Sequence, residues 1–225
     1  MPEHLEQAGY AVVPDVISGV TCDRLMNAMA TALRANGGDH AMRNVAQKVP
    51  AIAQLAESDS ILALARSILG ENAFMVRSLF FDKTTDANWK VAWHQDLTIA
   101  VQEKIEIPGF GPWSKKDGIL HVQPPAPVLE RMVTLRVHLD ECDLSNGPLQ
   151  ILPGTHCTGK LTAEQIFDWR QRVQPWPCLV PRGAAVLTRP LVLHASFPAD
   201  RPAHRRVVHL EFAAENLPGG LQWVR

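Results

Sequence analysis

The chain has 225 residues and a formal net charge of −1, with 22 Lys and Arg against 23 Asp and Glu. That balance leaves no basic footprint for nucleic acid and no polybasic anchor for a membrane, so a small molecule is the expected partner. No apolar run approaches the ~18 residues that span a bilayer. The opening Met1-Pro2-Glu3-His4 lacks a basic, then apolar, leader, and Cys22, Cys142, Cys157 and Cys178 show no CxxC spacing. A cytoplasmic chain with reduced thiols and a single domain over 1–225 is expected.

Residues 1–70 read as helical. In "TCDRLMNAMATALRANGG", Leu25, Met26, Met29 and Leu33 share one face, with Thr21 as the predicted cap and Gly37-Gly38 as the stop. "SDSILALARSILG" repeats the pattern, with Ser58 or Asp59 at the cap and Gly70 at the end. Past Gly70 the period changes to short β-branched and aromatic runs: "AFMVRSLFFDK", "VAWHQDLTIAV", "MVTLRVHLDEC", "PLQILP", "AAVLT", "LVLHAS" and "RRVVHLEFAA". Turn signals such as "SNGP" and "PRG" separate them, which predicts a mainly β barrel or sandwich over about 71–215 with flanking helices. One helix over 162–173, capped by Thr162, interrupts the strands. The stretch 102–130 is rich in Pro and Gly and carries Phe110 and Trp113, which predicts an ordered lid loop.

Four of the nine histidines carry an acidic residue at +2: His4 with Glu6, His94 with Asp96, His138 with Asp140 and His209 with Glu211. Residues i and i+2 of a strand point to one face, so each strand pair has the spacing to converge on a metal. Spacing alone selects none of them. Downstream, "LVLHASFPADRPAHRRVVHLEF" places His194 at a strand end, Ser196 on the same face, and Arg205 eleven residues after His194. Two imidazoles and one carboxylate leave three positions open on octahedral iron(II), room for a bidentate co-substrate and dioxygen.

Taken in order, "WHQD" (93–96), "SNGPLQILPGTH" (145–156) and "HAS" with Arg205 resemble the phytanoyl-CoA dioxygenase (PhyH-like) family of Fe(II)- and 2-oxoglutarate-dependent oxygenases. The resemblance runs from about Phe80 to Phe212 and implies a double-stranded β-helix, the jelly-roll or cupin-like barrel. It makes His94, Asp96 and His194 the iron ligands and catalytic centre, with 2-oxoglutarate as co-substrate and O2 as oxidant. Arg205 and Ser196 would hold the distal carboxylate, a task suited to a planar guanidinium fork. Arg136 and Thr134 would line the co-substrate pocket. The family's Gly after the distal histidine is Ala195 here, and Arg206 rivals Arg205 because adjacent strand residues face opposite ways. The likeness leaves His138 and Asp140 to ordinary polar contacts and brings His209 near the pocket.

The implied reaction is hydroxylation of a C–H bond with release of succinate and CO2, rather than halogenation, because Asp96 fills the place a halide would need. Arg77, Trp113, His121 and Gln123 are candidate substrate contacts. Two alternatives stay open at this level: a cupin-like metal enzyme that uses no 2-oxoglutarate, and a non-catalytic relative that binds a small ligand.

Overall fold

The change of period at Gly70 is a change of architecture. The computed structural model describes residues 2–35 and 40–224. Before Gly70 lie helices α1 (Pro2–Ala8), α2 (Gly19–Ala35), α3 (Val45–Lys48), α4 (Pro50–Ala56) and α5 (Asp59–Leu69), with strands β1 (Tyr10–Val13) and β2 (Ala41–Arg43) between them. Helix α2 begins two residues before Thr21, and the Thr21 amide donates to Ser18 Oγ at 3.2 Å. Ser18 therefore caps it, not Thr21. The predicted stop at Gly37-Gly38 lies outside the described residues. Ser58 is the cap residue of α5, and Gly70 ends that helix at φ 88°, a conformation glycine adopts without a Cβ clash.

After Gly70 come β3 (Phe74–Lys83), β4 (Val91–His94), β5 (Ile99–Val101), β6 (Trp113–Lys116), β7 (Ile119–Val122), α6 (Ala126–Glu130), β8 (Val133–His138) and β9 (Leu149–Leu152). Helix α7 (Ala163–Arg172) and strands β10 (Trp176–Pro177), β11 (Ala185–Thr188), β12 (Leu193–Ser196) and β13 (Arg205–Ala213) complete the main elements. A six-stranded antiparallel sheet, β1-β11-β8-β13-β3-β2, faces a four-stranded one, β10-β9-β12-β4, and from β8 onward the chain crosses between them repeatedly, with β9 and β10 both in the smaller sheet. This is the jelly-roll barrel the resemblance implies.

Strand alternation gives the large sheet two unlike faces. Phe80, Val208, Leu210, Phe212, Leu135 and Val137 are fully buried against Leu25, Met29, Ile52 and Ile61 of the helices. Their neighbours in the chain turn toward the small sheet and line the site. The predicted cap of α7 is present as a reciprocal box: the Gln165 amide donates to Thr162 Oγ1 at 3.2 Å, and the Thr162 amide to Gln165 Oε1 at 2.8 Å.

The predicted lid loop is a small sheet instead. Strands β5, β7 and β6 pair antiparallel, and α6 follows. Asp117-Gly118 forms the two-residue hairpin turn between Lys116 and Ile119, both turn residues having positive φ, 48° and 80°. That is the Asp-Gly hairpin signal, present in "KKDGIL" and masked by the surrounding prolines and glycines. Among the described residues no helix is long and apolar enough to cross a membrane.

Candidate active site

A cavity of about 210 Å³ lies between the two sheets. From the large sheet it is lined by Arg77, Leu79, Phe81 and Lys83 of β3, by Arg205, Val207 and His209 of β13, and by Arg136 and His138 of β8. Each set follows the period of two that a strand imposes. The small sheet supplies His94, His194 and Ser196, with Asp96 just past β4.

His94 and His194 are register partners on β4 and β12. Their ligand atoms and a carboxylate oxygen of Asp96 all lie within 4.8 Å of one another. Each Nε2 is 3.7 Å from Asp96, His94 toward Oδ1 and His194 toward Oδ2. The other ring nitrogens fix the tautomers. Nδ1 of His94 lies 2.8 Å from the Ala92 carbonyl and Nδ1 of His194 lies 3.0 Å from that of Val192. A carbonyl only accepts, so each Nδ1 carries the proton and each Nε2 keeps a lone pair for a metal. Burial, helped by the Arg136 and His94 charges, pushes His194 down to about 3 against the pull of Asp96. Burial opposes ionisation of Asp96 as well, yet His194, Arg136, His209 and His94 together hold its carboxyl well below the usual carboxylate range.

At one end of the cavity Lys83 and Arg205 are buried register partners. Lys83 Nζ donates to Ser196 Oγ at 2.9 Å and to the Phe197 carbonyl at 2.5 Å, and Arg205 Nη2 lies 3.3 Å from the same Ser196 oxygen. Arg205 Nη1 donates to the Gly147 carbonyl, which also accepts from Ser196 Oγ at 3.2 Å. Gly147, in the "NGP" turn, has φ 73°, and a Cβ there would lie 2.7 Å from the Phe197 carbonyl oxygen, so only glycine lets this turn approach. Burial first, then the Arg205 charge, lowers the Lys83 ammonium to about 8. Two cations crowded beside one hydroxyl make a receptor for an anion.

Arg206 points the other way and forms a two-pronged pair with Asp140, Nε to Oδ2 and Nη2 to Oδ1 both at 2.7 Å. Arg205 is therefore the inward arginine. Arg136 does not join it at the anion end. Its Nη2 sits 3.2 Å from both Asp96 Oδ2 and His194 Nε2, against the metal-ligand atoms themselves. Thr134 shares the inward parity but pairs with Glu211, beyond Arg136, and forms no part of the cavity wall.

Of the expected substrate contacts only Arg77 lines the cavity. Trp113 packs into an apolar cluster behind the small hairpin, His121 is buried with Nδ1 3.1 Å from the Ile119 carbonyl, and the Gln123 backbone pairs with Gly111 and Pro112. These three build the hairpin because the stretch folds as strands, whose inner residues pack into their own core. What the hairpin brings to the cavity mouth is its tip, where Asp117 pairs with Arg43 at 3.2 Å. Sequence reasoning missed Lys83 and Arg43. Lys83 was within reach, since it shares parity with Arg77 on one strand; Arg43 was not, because a three-residue edge strand carries no period. His138 and His209 line the cavity, while His4 stacks edge-on against Tyr10.

A family model described as Phytanoyl-CoA dioxygenase (PhyH) matches residues 5–207. The chain belongs to the phytanoyl-CoA dioxygenase family. No curated protein matches the chain by sequence. Among solved structures, this PhyH chain is similar to EctD from S. alaskensis, solved with 2-oxoglutarate and 5-hydroxyectoine. The TM-score is 0.73 at 19% identity, covering 95% of this chain and 74% of EctD. The carbocyclase SnoK from nogalamycin biosynthesis, described as non-heme and alpha ketoglutarate dependent, aligns with TM-score 0.74 at 14% identity over 96% of this chain and 83% of its own. AviO1 from Streptomyces viridochromogenes Tue57 aligns with TM-score 0.70 at 17% identity over 96% of both chains. At these identities the likeness is one of fold, and the three share the PhyH chain's barrel.

Proposed function

We propose that this PhyH-family chain is an Fe(II)- and 2-oxoglutarate-dependent oxygenase that hydroxylates a C–H bond of a small molecule. The observation that carries the reading is the meeting of His94 Nε2, His194 Nε2 and Asp96 within 4.8 Å of one another, with each Nε2 left unprotonated by the bond its Nδ1 makes. Two imidazoles and one carboxylate with the remaining side open suit iron(II). Iron, 2-oxoglutarate and O2 supply the oxidation: the co-substrate loses CO2 to become succinate, one oxygen atom enters succinate and the other the C–H bond.

The chain's residues set the stage for it. His94, Asp96 and His194 hold the metal, and Arg136 steadies Asp96 through the 3.2 Å contact to Oδ2. Arg205, Lys83 and Ser196 hold the distal carboxylate of 2-oxoglutarate, replacing its hydration shell with charge-assisted bonds. Leu79, Phe81 and Val207 keep the space between apolar and exclude water. The EctD structure with 2-oxoglutarate supports this reading, being a structural relative that binds the same oxo-acid.

Anaerobic titration with iron(II) and then 2-oxoglutarate tests it. A visible metal-to-ligand charge-transfer band is expected on addition of the oxo-acid. Tight iron binding with no band would overturn the reading in favour of a metal enzyme that uses no 2-oxoglutarate.

A further inference from the structure

The inner face of the large sheet is laid out in levels by its register. Lys83 faces Arg205 at one end; Leu79, His209 and Arg136 lie level with the metal ligands; Arg77 and Glu211 form the next level out. Arg77 and Lys83 are six residues apart on one strand, about 20 Å at ~3.3 Å per residue. The co-substrate end is thus separated from Arg77 by the metal level, with Leu79 and Phe81 as an apolar waist between them. Arg43, the register partner of Leu79 on the edge strand, lines the same cavity, and its charge and that of Arg77 both reach Lys116 and His121.

Charge is out of balance along this path. Arg43, Arg77, Lys83, Arg136 and Arg205 line the cavity, and Lys116 at the hairpin tip feels Arg77 and Arg43. Against these six cations stand three carboxylates, Asp96, Asp117 and Glu211. Burial keeps His138 and His209 on the neutral side. A divalent iron and a dianionic oxo-acid cancel, so an excess of three positive charges remains. One of the three lies at the outer end, where Arg43, Arg77 and Lys116 stand against Asp117 and Glu211. Arg77 spends Nε on Glu211 at 3.5 Å and Nη1 on the Thr98 carbonyl at 3.1 Å, two of the five donors a guanidinium carries. Among the described residues Arg43 pairs with solvent-exposed Asp117, a screened pair that a ligand anion can exchange.

We propose that the substrate carries an anionic headgroup, a carboxylate or a phosphate monoester, seated between Arg77 and Arg43. An apolar body lies on Leu79, and the reacting carbon faces the His94, Asp96 and His194 centre. The inference deepens the oxygenase reading and takes its direction from it. Lys116 lies close by at the hairpin tip: burial first, then the Arg77 and Arg43 charges, lowers its ammonium.

Calorimetric titration of the full chain with hexanoate, hexyl phosphate, hexanamide and hexylamine tests it, under anaerobic conditions with iron(II) and saturating 2-oxoglutarate. At least one anion is expected to bind about tenfold more tightly than the amide, with the amine weakest; which anion wins names the headgroup. Arg43→Gln, at a half-exposed position that the fold tolerates, should cut the preference about threefold. Arg77→Gln combined with Glu211→Gln, which removes the cation without stranding its carboxylate, should abolish it. Equal binding of amide and anion overturns the proposal, as does a preference unchanged by Arg43→Gln. An anion that 2-oxoglutarate displaces has bound the Arg205 end, and that result overturns it too. If no charge-transfer band forms, the oxygenase reading fails by itself, and the same titrations on the metal-free chain still decide whether the outer end takes an anion.

Discussion

His94-x-Asp96 and His138-x-Asp140 have identical spacing and start from opposite walls of one cavity, yet among the described residues only the first joins a cluster that could hold a metal ion. At the first pair, His194 stands across the strand in register, and Asp96 is turned toward both rings after its amide bonds the Pro190 carbonyl at 2.9 Å. At the second, β8 ends at His138, and Asp140 leaves the cavity for Arg206. His138 stays inside without a carboxylate, and burial with the Arg205 and Arg136 charges pushes it down to about 3. His194 is lowered to about 3 as well, so both rings are neutral, and what sets the first pair apart is the carboxylate that stays inside with it. Spacing permits convergence, and the partner across the sheet with the surrounding charge decides it.

The comparison breaks most sharply at the metal. His94→Ala or Asp96→Ala is expected to weaken iron(II) binding at least about 100-fold and abolish the charge-transfer band, whereas His138→Ala keeps both. Loss of the band in His138→Ala alone would place the centre on the wrong wall. The neighbouring arginines extend the contrast. Arg205→Ala should raise KM for 2-oxoglutarate on the order of 30- to 100-fold, about 2–3 kcal/mol, for loss of a buried charged contact. Arg206→Ala should leave that KM unchanged and instead cost about 1–2 kcal/mol in denaturant unfolding, because Asp140 loses both guanidinium bonds and keeps the one from the backbone amide of residue 206.

Lys83 makes the anion end pH-sensitive. Its ammonium is lowered to about 8 by burial first and Arg205 second, with Cys142 the opposing neighbour. An ammonium grips a carboxylate only when protonated, so KM for 2-oxoglutarate should rise as pH passes upward through about 8. Lys83→Met should raise it about tenfold at neutral pH and remove that alkaline limb. The sign for stability is the reverse. The folded chain holds this proton less tightly than the unfolded one, so the ligand-free protein gains stability between about 8 and the ordinary lysine value near ~10.4, and Lys83→Met flattens that rise in Tm. The smallest expected effect lies outside both walls. Thr162→Ala removes the capping box of α7, should cost about 1 kcal/mol, and should leave iron and 2-oxoglutarate binding untouched. A shift in either binding constant would show that stability loss alone moves the site, which would weaken every comparison above.

The strands and long helices were legible because each rests on local periodicity: apolar residues at helical spacing marked α2 and α5, and alternation marked β3, β8 and β13. The jelly-roll and the choice of His94, Asp96 and His194 among four His-x-acid pairs came from the resemblance to the PhyH family, and which of Arg205 and Arg206 faces inward needed the strand register. Thr162 was legible as a cap because its box closes within four residues. The lid was misread because proline and glycine count there outweighed the Asp117-Gly118 turn. Lys83 and Arg43 went unseen because their meaning comes from neighbours more than 100 residues away or on a separate edge strand, Ser196 and the hairpin tip respectively.

The amino-acid sequence by itself determined which side chains share a face and which chemistry they carry, since the period of a strand or helix is a local property of the backbone. Only the tertiary structure decided that His194 lies opposite His94, that Asp140 turns away to Arg206, and that Lys83 joins Arg205 at a single hydroxyl. Those outcomes depend on strand register and on the charges brought together across the barrel, which no stretch of chain specifies alone.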